Sequence, residues 1–140
     1  MKKSIALIIV LLLISCSSKK AVVTNRLYEV LVTKNDGGAP IEFYEILSEP
    51  KEVSMLLADP DLRKLIQPND IQKCNYVILN LGGKAQGFYS IKIESITETS
   101  DTIVVKIKKP KPTADTVNPD NMIYPFTVIK INSKKPIVFQ

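Results

Sequence analysis

One cysteine near the N-terminus stands in a setting that supports covalent lipid attachment. The four residues Leu13-Ile14-Ser15-Cys16 form a lipobox, in which two apolar residues and one small residue precede the cysteine. The small side chain of Ser15 lets a signal peptidase reach the bond before Cys16, and the Cys16 thiol takes a diacylglycerol. Several acyl chains, at about 0.8 kcal/mol per buried methylene, hold a protein on a membrane far longer than one chain would. The motif therefore predicts a membrane-anchored protein.

The residues before this cysteine have the pattern of a signal peptide. Lys2 and Lys3 form a positive n-region, and an unbroken apolar run follows from residue 5 to residue 14. A helix that spans a bilayer needs roughly 20 apolar residues, so this run is too short for a permanent anchor. We therefore predict that residues 1–15 are removed from the mature protein.

The rest of the chain fits one domain on a short tether. We predict that residues 16–25 comprise the lipidated cysteine and the tether, and that residues 26–140 form a single β-rich domain. Ser17 is not the acidic residue that is associated with retention in the inner membrane. The expected location is therefore the bacterial cell envelope, with a lipid anchor in the outer membrane.

The positive charge of the chain lies in its first twenty residues. The net charge is +5, but positions 2, 3, 19 and 20 hold four of the 19 basic residues and none of the 14 acidic ones. Residues 21–140 therefore carry 15 basic against 14 acidic residues. A nucleic-acid-binding domain would be basic itself, so no nucleic-acid partner is expected. Lys106 and Lys108 alternate with apolar residues, which is typical of the solvent side of a strand, with contact to anionic lipid or an acidic partner as the alternative.

The residue types exclude most kinds of catalytic site. The chain has no histidine, and Cys74 is its only thiol besides Cys16. The usual zinc ligand sets, a Ser-His-Asp triad and a Cys-His pair all need side chains that are missing. Fourteen carboxylates are available, but none stands at a spacing that indicates a paired-carboxylate site. We therefore expect no enzyme activity, no metal and no cofactor, and we expect Cys74 to be a small buried hydrophobic residue.

A glycine-bearing segment at residues 82–88 superficially resembles a phosphate-binding loop. Gly82 and Gly87 have the spacing of a P-loop, but Phe88 stands where the phosphate-binding lysine must be. A strand pattern follows the segment, whereas a P-loop leads into a helix. A nucleotide site is therefore rejected, and the glycines are expected to take positive φ or to allow close backbone approach in a loop between two strands.

Alternating apolar residues predict the first elements. Residues 27–33 and 41–47 read as strands, and the turn signal at residues 35–38 predicts that they pair as a hairpin. A helix is predicted from Pro50 to Ala58, because Val53, Leu56 and Leu57 share one face.

A helical turn and a run of strands follow. The turn begins at Pro60, with Leu62 and Leu65 expected to face inward, and residues 76–81 are apolar on both faces, as in a central strand. Residues 88–96 and 103–107 should pair as a meander, and a loop marked by prolines 110, 112 and 119 follows them. Residues 126–131 and 137–139 are the last predicted strands. The predicted fold class is mainly β (α+β), with an antiparallel sheet curled into a sandwich or half-open barrel and one or two short helices.

Residues 74–139 carry motifs whose order and spacing are typical of one domain family. They are an apolar strand ending in Leu81-Gly82, the segment Gly87-Phe88-Tyr89-Ser90-Ile91, a strand pair, a proline-bearing loop and Tyr124-Pro125-Phe126. The segment resembles the PrcB C-terminal domain family, which is named after the accessory lipoprotein of a subtilisin-like protease complex. The family tends to have Gly-Gly-Tyr where this chain has Gly87-Phe88-Tyr89, so Phe88 puts a large ring at a position that is usually open.

The resemblance implies a binding protein without chemistry of its own, whose role is to stabilise a protease complex. On that basis we expect the loop at residues 82–88 and Tyr124-Pro125 to form the contact surface. Phe88 and Tyr124 would be aromatic anchors, although both could instead fill the core, where Tyr89 is expected. The candidate partner-binding residues are Lys84, Gln86, Phe88, Tyr124 and Pro125.

Three other functions remain open at this point. The domain could inhibit proteases by inserting loops into an active-site cleft. It could also bind a small ligand or a polysaccharide in the envelope. An enzyme with an unrecognised carboxylate site is the last possibility.

Overall fold

A computed structural model of the protein describes residues 26–86, 91–108 and 118–140, with the side chains of residues 86 and 118–120 left out of the description. The predicted signal peptide and tether, and with them Cys16, lie outside the described residues. So do Phe88 and Tyr89. No helix in the described ranges is long and apolar enough to cross a membrane.

The described chain contains nine strands, two short α-helices and one turn of 3₁₀-helix at Asp70–Gln72. The α-helices are α1 (Pro50–Leu56) and α2 (Pro60–Arg63). The strands are β1 (Tyr28–Lys34), β2 (Glu42–Leu47), β3 (Asn75–Leu81), β4 (Lys84–Gln86), β5 (Lys92–Glu98), β6 (Ile103–Lys108), β7 (Asn118–Ile123), β8 (Phe126–Ile131) and β9 (Ile137–Phe139). The prediction of a mainly β fold with short helices is confirmed, and the sheets do not close into a barrel.

A four-stranded sheet in the order β1-β8-β3-β2 is the centre of the fold. All three pairings are antiparallel. The predicted hairpin of the first two strands is wrong, because β1 and β2 form opposite edges of this sheet. The turn between them therefore does not reverse the chain onto its neighbour but carries it across the end of β8 and β3.

Strand β3 is buried on both faces, as its apolar sequence predicted. Val77, Leu79 and Leu81 pack in one core cluster, which lies between the four-stranded sheet and a second sheet. Tyr76 packs in the other cluster, beneath the helices. The domain therefore has three layers, with the four-stranded sheet in the middle.

The second sheet has the order β5-β6-β9. Strands β5 and β6 pair in antiparallel fashion, which confirms the predicted meander. Ile103 and Val105 of β6 are fully buried, as expected from their alternation with polar residues. Strand β9 pairs with β6 in parallel, so it does not continue the antiparallel sheet as predicted. Strand β9 joins this second sheet because the chain leaves the four-stranded sheet after β8 and crosses to β6.

A two-stranded ribbon of β4 and β7 corrects two loop predictions. The segment after β3 was expected to be a loop throughout, but residues Lys84–Gln86 form β4. Pro119 was expected in a loop, but it lies within β7. The register shifts between Ala85 and Gln86, and such irregular pairing accommodates a proline that has no N–H to donate.

The helices begin where the sequence predicted. Both start with a proline, and the Asp59 carboxylate accepts hydrogen bonds from two N–H groups in the first turn of α2. Val53, Leu56 and Leu62 are buried against the sheet. Leu65 was expected to face inward, but it is 43% exposed, and Ile66 takes the inward position instead.

A network of polar groups joins the 3₁₀-helix to the sheet. The Asp70 carboxylate accepts hydrogen bonds from the Lys130 ammonium at 2.7 Å, the Gln67 N–H at 3.1 Å and the Tyr76 hydroxyl at 3.2 Å. The Cys74 thiol donates to the Asp70 carbonyl oxygen at 2.8 Å. Cys74 is 1% exposed, which confirms that it is a buried residue.

The pKa values of these groups shift in different directions, although burial acts on each in the same sense. Burial raises the pKa of the Cys74 thiol and of the Tyr76 hydroxyl. It also raises the pKa of the Asp70 carboxyl, but the hydrogen bonds from Lys130 and Gln67 outweigh burial, and the net pKa lies below its ordinary value. Asp70 is therefore held as a carboxylate beside the Lys130 ammonium.

Candidate functional site

Three segments meet at one end of the four-stranded sheet, and we call them the loop cluster: residues 36–41, 82–86 and 122–125. The first follows β1, the second follows β3, and the third leads into β8. Because β8 lies between β1 and β3 and runs antiparallel to both, the ends of β1 and β3 lie beside the start of β8. The sheet topology therefore brings together segments that are far apart in the sequence.

Backbone hydrogen bonds hold the three segments to one another. The Gly38 N–H donates to the Tyr124 carbonyl oxygen at 2.8 Å, and the Tyr124 N–H donates to the Asp36 carboxylate at 3.0 Å. The Gly83 N–H donates to the Pro40 carbonyl oxygen at 3.0 Å. The cluster is thus a connected unit rather than three independent loops.

Asn80 fixes the first segment from inside the protein. Its side-chain oxygen accepts from the Ala39 N–H at 3.0 Å, and its side-chain nitrogen donates to the carbonyl oxygens of Ala39 at 2.9 Å and Ile41 at 2.6 Å. The residue is only 1% exposed, so these bonds replace its contacts with water. A polar residue inside an apolar strand is the sequence signal that could have revealed this support.

Of the two glycines after β3, Gly82 behaves as the sequence predicted, whereas Gly83 has its closest contact with a side chain. Gly82 has φ of +69°, and a Cβ there would lie 2.7 Å from the Glu42 backbone nitrogen. A Cβ on Gly83 would lie 2.8 Å from the Met122 methyl carbon. The first glycine provides a left-handed turn, and the second leaves room for the end of the Met122 side chain.

Two of the predicted contact residues, Tyr124 and Pro125, lie in the third segment of the loop cluster. Tyr124 is half-buried, and its ring lies 3.4 Å from where a Cβ on Gly83 would be. Pro125 is buried, and its carbonyl oxygen accepts from the Leu81 N–H at 3.0 Å. Pro125 therefore supports the cluster from beneath, and Tyr124 is the one that reaches its surface.

The other predicted contact residues follow β3. Lys84 is half-buried at the start of β4, where it pairs with Ile123 of β7. The backbone of Gln86 pairs with Asn118, but its side chain lies outside the described residues, as does the whole of Phe88. Of the predicted set, the structure thus brings Lys84, Tyr124 and Pro125 into one region.

The sequence prediction missed three apolar side chains at this end of the sheet. Ile41 is 76% exposed, Met122 is 49% exposed, and Phe43, at the start of β2, is 36% exposed. Their positions could not be linked before the topology was known, because residues 41–43 pair with β3 rather than with β1. Exposed apolar side chains gathered at one place are typical of a protein contact surface.

One basic residue next to this surface, Lys34, is paired with two carboxylates. Lys34, at the end of β1, lies 2.9 Å from the Asp59 carboxylate and 3.1 Å from that of Asp61. These hydrogen bonds raise the pKa of Lys34 and lower that of Asp59. In the described ranges, no group of three His, Cys, Asp or Glu side chains is placed to hold a metal ion.

The described chain begins at the opposite end of the same sheet. Tyr28 of β1 pairs with Ile131, the last residue of β8, whereas Lys34 pairs with Phe126, the first. The Arg26 carbonyl oxygen accepts from the Asn132 side chain, just beyond β8. At about 3.3 Å per residue, the length of β3 separates the two ends by roughly 20 Å.

The comparisons with known proteins agree with this part of the fold. Residues 75–132 match the family model described as PrcB C-terminal, which confirms the resemblance seen in the sequence. No curated protein and no solved structure matches the chain. The matched range runs from β3 to β8 and includes two of the three segments of the loop cluster. Residues 75–132 of this chain are thus similar to the PrcB C-terminal domain.

Proposed function

We propose that this chain is a lipid-anchored accessory subunit without catalytic activity, which binds and stabilises a protease complex of the bacterial envelope. The match to the PrcB C-terminal family supports an association with a protease complex. The observation that carries the proposal is the loop cluster, with the exposed side chains of Ile41, Phe43 and Met122 beside the half-buried Tyr124.

The build of the loop cluster suits this role. Its backbone is held by bonds such as Gly38 to Tyr124 and by the buried side chain of Asn80. A surface that is already ordered loses little conformational entropy when a partner binds. A few side chains near the centre of a contact contribute most of its binding energy, and Ile41 and Met122 are the most exposed apolar side chains at this surface. Ile41 and Met122 are therefore the residues on which we expect binding to depend most.

The anchor is the second part of the proposal. We propose that Cys16 carries the lipid, in the outer membrane, and that residues 16–25 join it to the domain at Arg26. Ten extended residues reach roughly 35 Å. The loop cluster lies at the far end of the sheet from Arg26, so the anchor and the contact surface would not compete for space.

The contact surface can be tested by partner recovery. We expect the full chain, extracted with a mild detergent, to co-purify with a protease that mass spectrometry identifies. Ile41→Lys and Met122→Lys should each lower the recovered protease at least about tenfold, since each places a charge in an apolar contact. Val30→Lys and Val138→Lys are the matched controls, because these residues are 47% and 45% exposed but lie outside the loop cluster. They should leave recovery unchanged.

Two results would contradict this contact surface. One is a wild-type chain that recovers no protease, and the other is equal recovery with Ile41→Lys and Val30→Lys. Turnover by the recovered protease separates an accessory subunit from an inhibitor. An accessory subunit keeps the protease active and prolongs its half-life, whereas an inhibitor lowers its turnover.

The anchor can be tested by labelling cells with an alkyne analogue of palmitate. The wild-type chain and Cys74→Ser should both take up the label, because only Cys16 stands in a lipobox. Cys16→Ser should lose the label and leave the membrane fraction. Labelling of Cys16→Ser equal to that of the wild-type chain would exclude Cys16 as the lipidated residue.

A further inference from the structure

An apolar groove lies in the helical layer, away from the loop cluster, and we call it the helix groove. Its volume is about 530 Å³, which falls within the range of roughly 300 to 1,000 Å³ that is usual for ligand sites. Most of the side chains that line it are apolar. The lining residues are Pro50, Val53, Ser54, Leu57, Arg63, Ile66, Gln67, Pro68 and Ile71.

Arg63 is the one charged residue in this lining. Its Nε donates to the Leu57 carbonyl oxygen at 2.8 Å, which fixes the guanidinium and leaves its outer N–H groups able to donate. The two carboxylates nearest in sequence, Asp59 and Asp61, are both paired with Lys34. Among the described residues, no carboxylate forms an ion pair with Arg63. The groove therefore has, at its solvent-exposed rim, a positive charge that one hydrogen bond orients and that lies beside an apolar wall.

The rest of the lining offers few polar partners. The Ser54 hydroxyl donates to the Lys51 carbonyl oxygen, and the Gln67 N–H donates to the Asp70 carboxylate. Apart from Ser54 and Arg63, the only polar side chain in the lining is that of Gln67, whose amide can both donate and accept. An extended peptide would gain few main-chain hydrogen bonds from this lining, whereas a hydrocarbon chain needs none.

The size of the groove also argues against a partner helix. A helix with side chains is about 10 to 12 Å wide and rises about 5.4 Å per turn, so one turn occupies on the order of 500 Å³. The groove therefore has room for about one turn. A single turn buries much less surface than a stable protein contact needs.

We propose that the helix groove binds a single-chain fatty acid, with its carboxylate on Arg63 and its alkyl chain along Val53, Leu57 and Ile71. A guanidinium binds a carboxylate through charge-assisted hydrogen bonds, which are about twice as strong as neutral ones. The alkyl chain gains by leaving water. This site is separate from the loop cluster, so it neither requires nor excludes a protein partner there.

The proposal can be tested with a photoreactive dodecanoate on the full chain in digitonin. Irradiation should attach the probe to peptides within residues 50–71, as mapped by mass spectrometry. Unlabelled dodecanoate should compete at least about tenfold better than dodecanol, which has the same chain length but no charge. Arg63→Gln should lower the labelling about tenfold, because it replaces the guanidinium that binds the carboxylate by a neutral amide. Ser54→Phe should abolish labelling by filling the groove.

Arg26→Gln is the matched control, because Arg26 is the only other arginine and lies just before the first strand, outside the groove lining. It should label like the wild-type chain, and circular dichroism melting should show that each variant is folded. Competition by dodecanol uses the wild-type chain alone, so that arm does not depend on the folding of any variant. Equal competition by dodecanol and dodecanoate, unchanged labelling of a folded Arg63→Gln, or adducts only outside residues 50–71 would overturn the proposal.

Discussion

Replacing Gly38 by alanine should lower the free energy of unfolding by about 3 kcal/mol and weaken partner recovery. The added Cβ would overlap the side-chain oxygen of Asn80 and lie 2.7 Å from the Tyr124 carbonyl oxygen. Neither atom can move freely, since Asn80 is buried and bonded to Ala39, and the Tyr124 oxygen accepts from Gly38 itself. Overpacking costs about 1 to 3 kcal/mol, and each lost hydrogen bond adds about 1 kcal/mol.

The neighbouring Gly37 provides the matched control for urea unfolding followed by circular dichroism. Its φ of +101° makes alanine unfavourable, but a Cβ there meets only the Phe126 ring at 3.6 Å. Gly37→Ala should therefore cost about 1 to 2 kcal/mol, the usual penalty of a left-handed backbone. If Gly38→Ala were no more destabilising than Gly37→Ala, the packing of the loop cluster as described here would be wrong.

The sequence was a good guide to strands whose pattern is local. The predicted strand at residues 126–131 coincides with β8, and the predicted strand at residues 137–139 coincides with β9. The pattern of β3 also revealed its central position, since apolar residues on both faces indicate burial on both sides. These features depend on each strand's own residues.

Pairing partners were harder to predict because they depend on distant residues. A turn signal at residues 35–38 favoured a hairpin, yet Tyr28 pairs with Ile131 and Tyr44 pairs with Leu79. The same turn residues instead make the bonds that tie the first segment of the loop cluster to Tyr124. The turn itself was thus recognised correctly, but the residue that its Asp36 side chain binds, Tyr124, lies nearly ninety residues away.

Only part of the candidate site was predicted, because its segments are distant from one another in the sequence. The second and third segments of the loop cluster lie within the matched family range, and their glycine and aromatic residues drew attention to them. The first segment lies outside that range, and it joins the cluster through hydrogen bonds to Asn80, Gly83 and Tyr124 that only the structure reveals. Ile41 was therefore assigned to a strand, although it is the most exposed large apolar residue among those described.

Replacing Asp70 by asparagine should lower the free energy of unfolding by about 2 kcal/mol at pH 7. The change removes the carboxylate that lies 2.7 Å from the Lys130 ammonium, whose side chain is only 16% exposed. Hydrogen bonds to charged groups contribute about 1.5 to 3 kcal/mol. Without the Asp70 carboxylate, the largely buried Lys130 ammonium would have no charge to offset its loss of water contacts. Asp101→Asn is the control, because Asp101 is exposed in the turn between β5 and β6.

The effect of Asp70→Asn should depend on pH in a defined direction. The pKa of Asp70 is lower in the folded protein than its ordinary value near 4, because the hydrogen bonds from Lys130 and Gln67 outweigh burial. A group with a lowered folded pKa contributes its stability above the ordinary value and loses it as the pH falls through the folded pKa. The difference between wild type and Asp70→Asn, measured by urea unfolding from pH 7 downwards, should therefore shrink below about pH 4. A difference that stayed constant down to pH 2 would mean that Asp70 acts through packing and not through its charge.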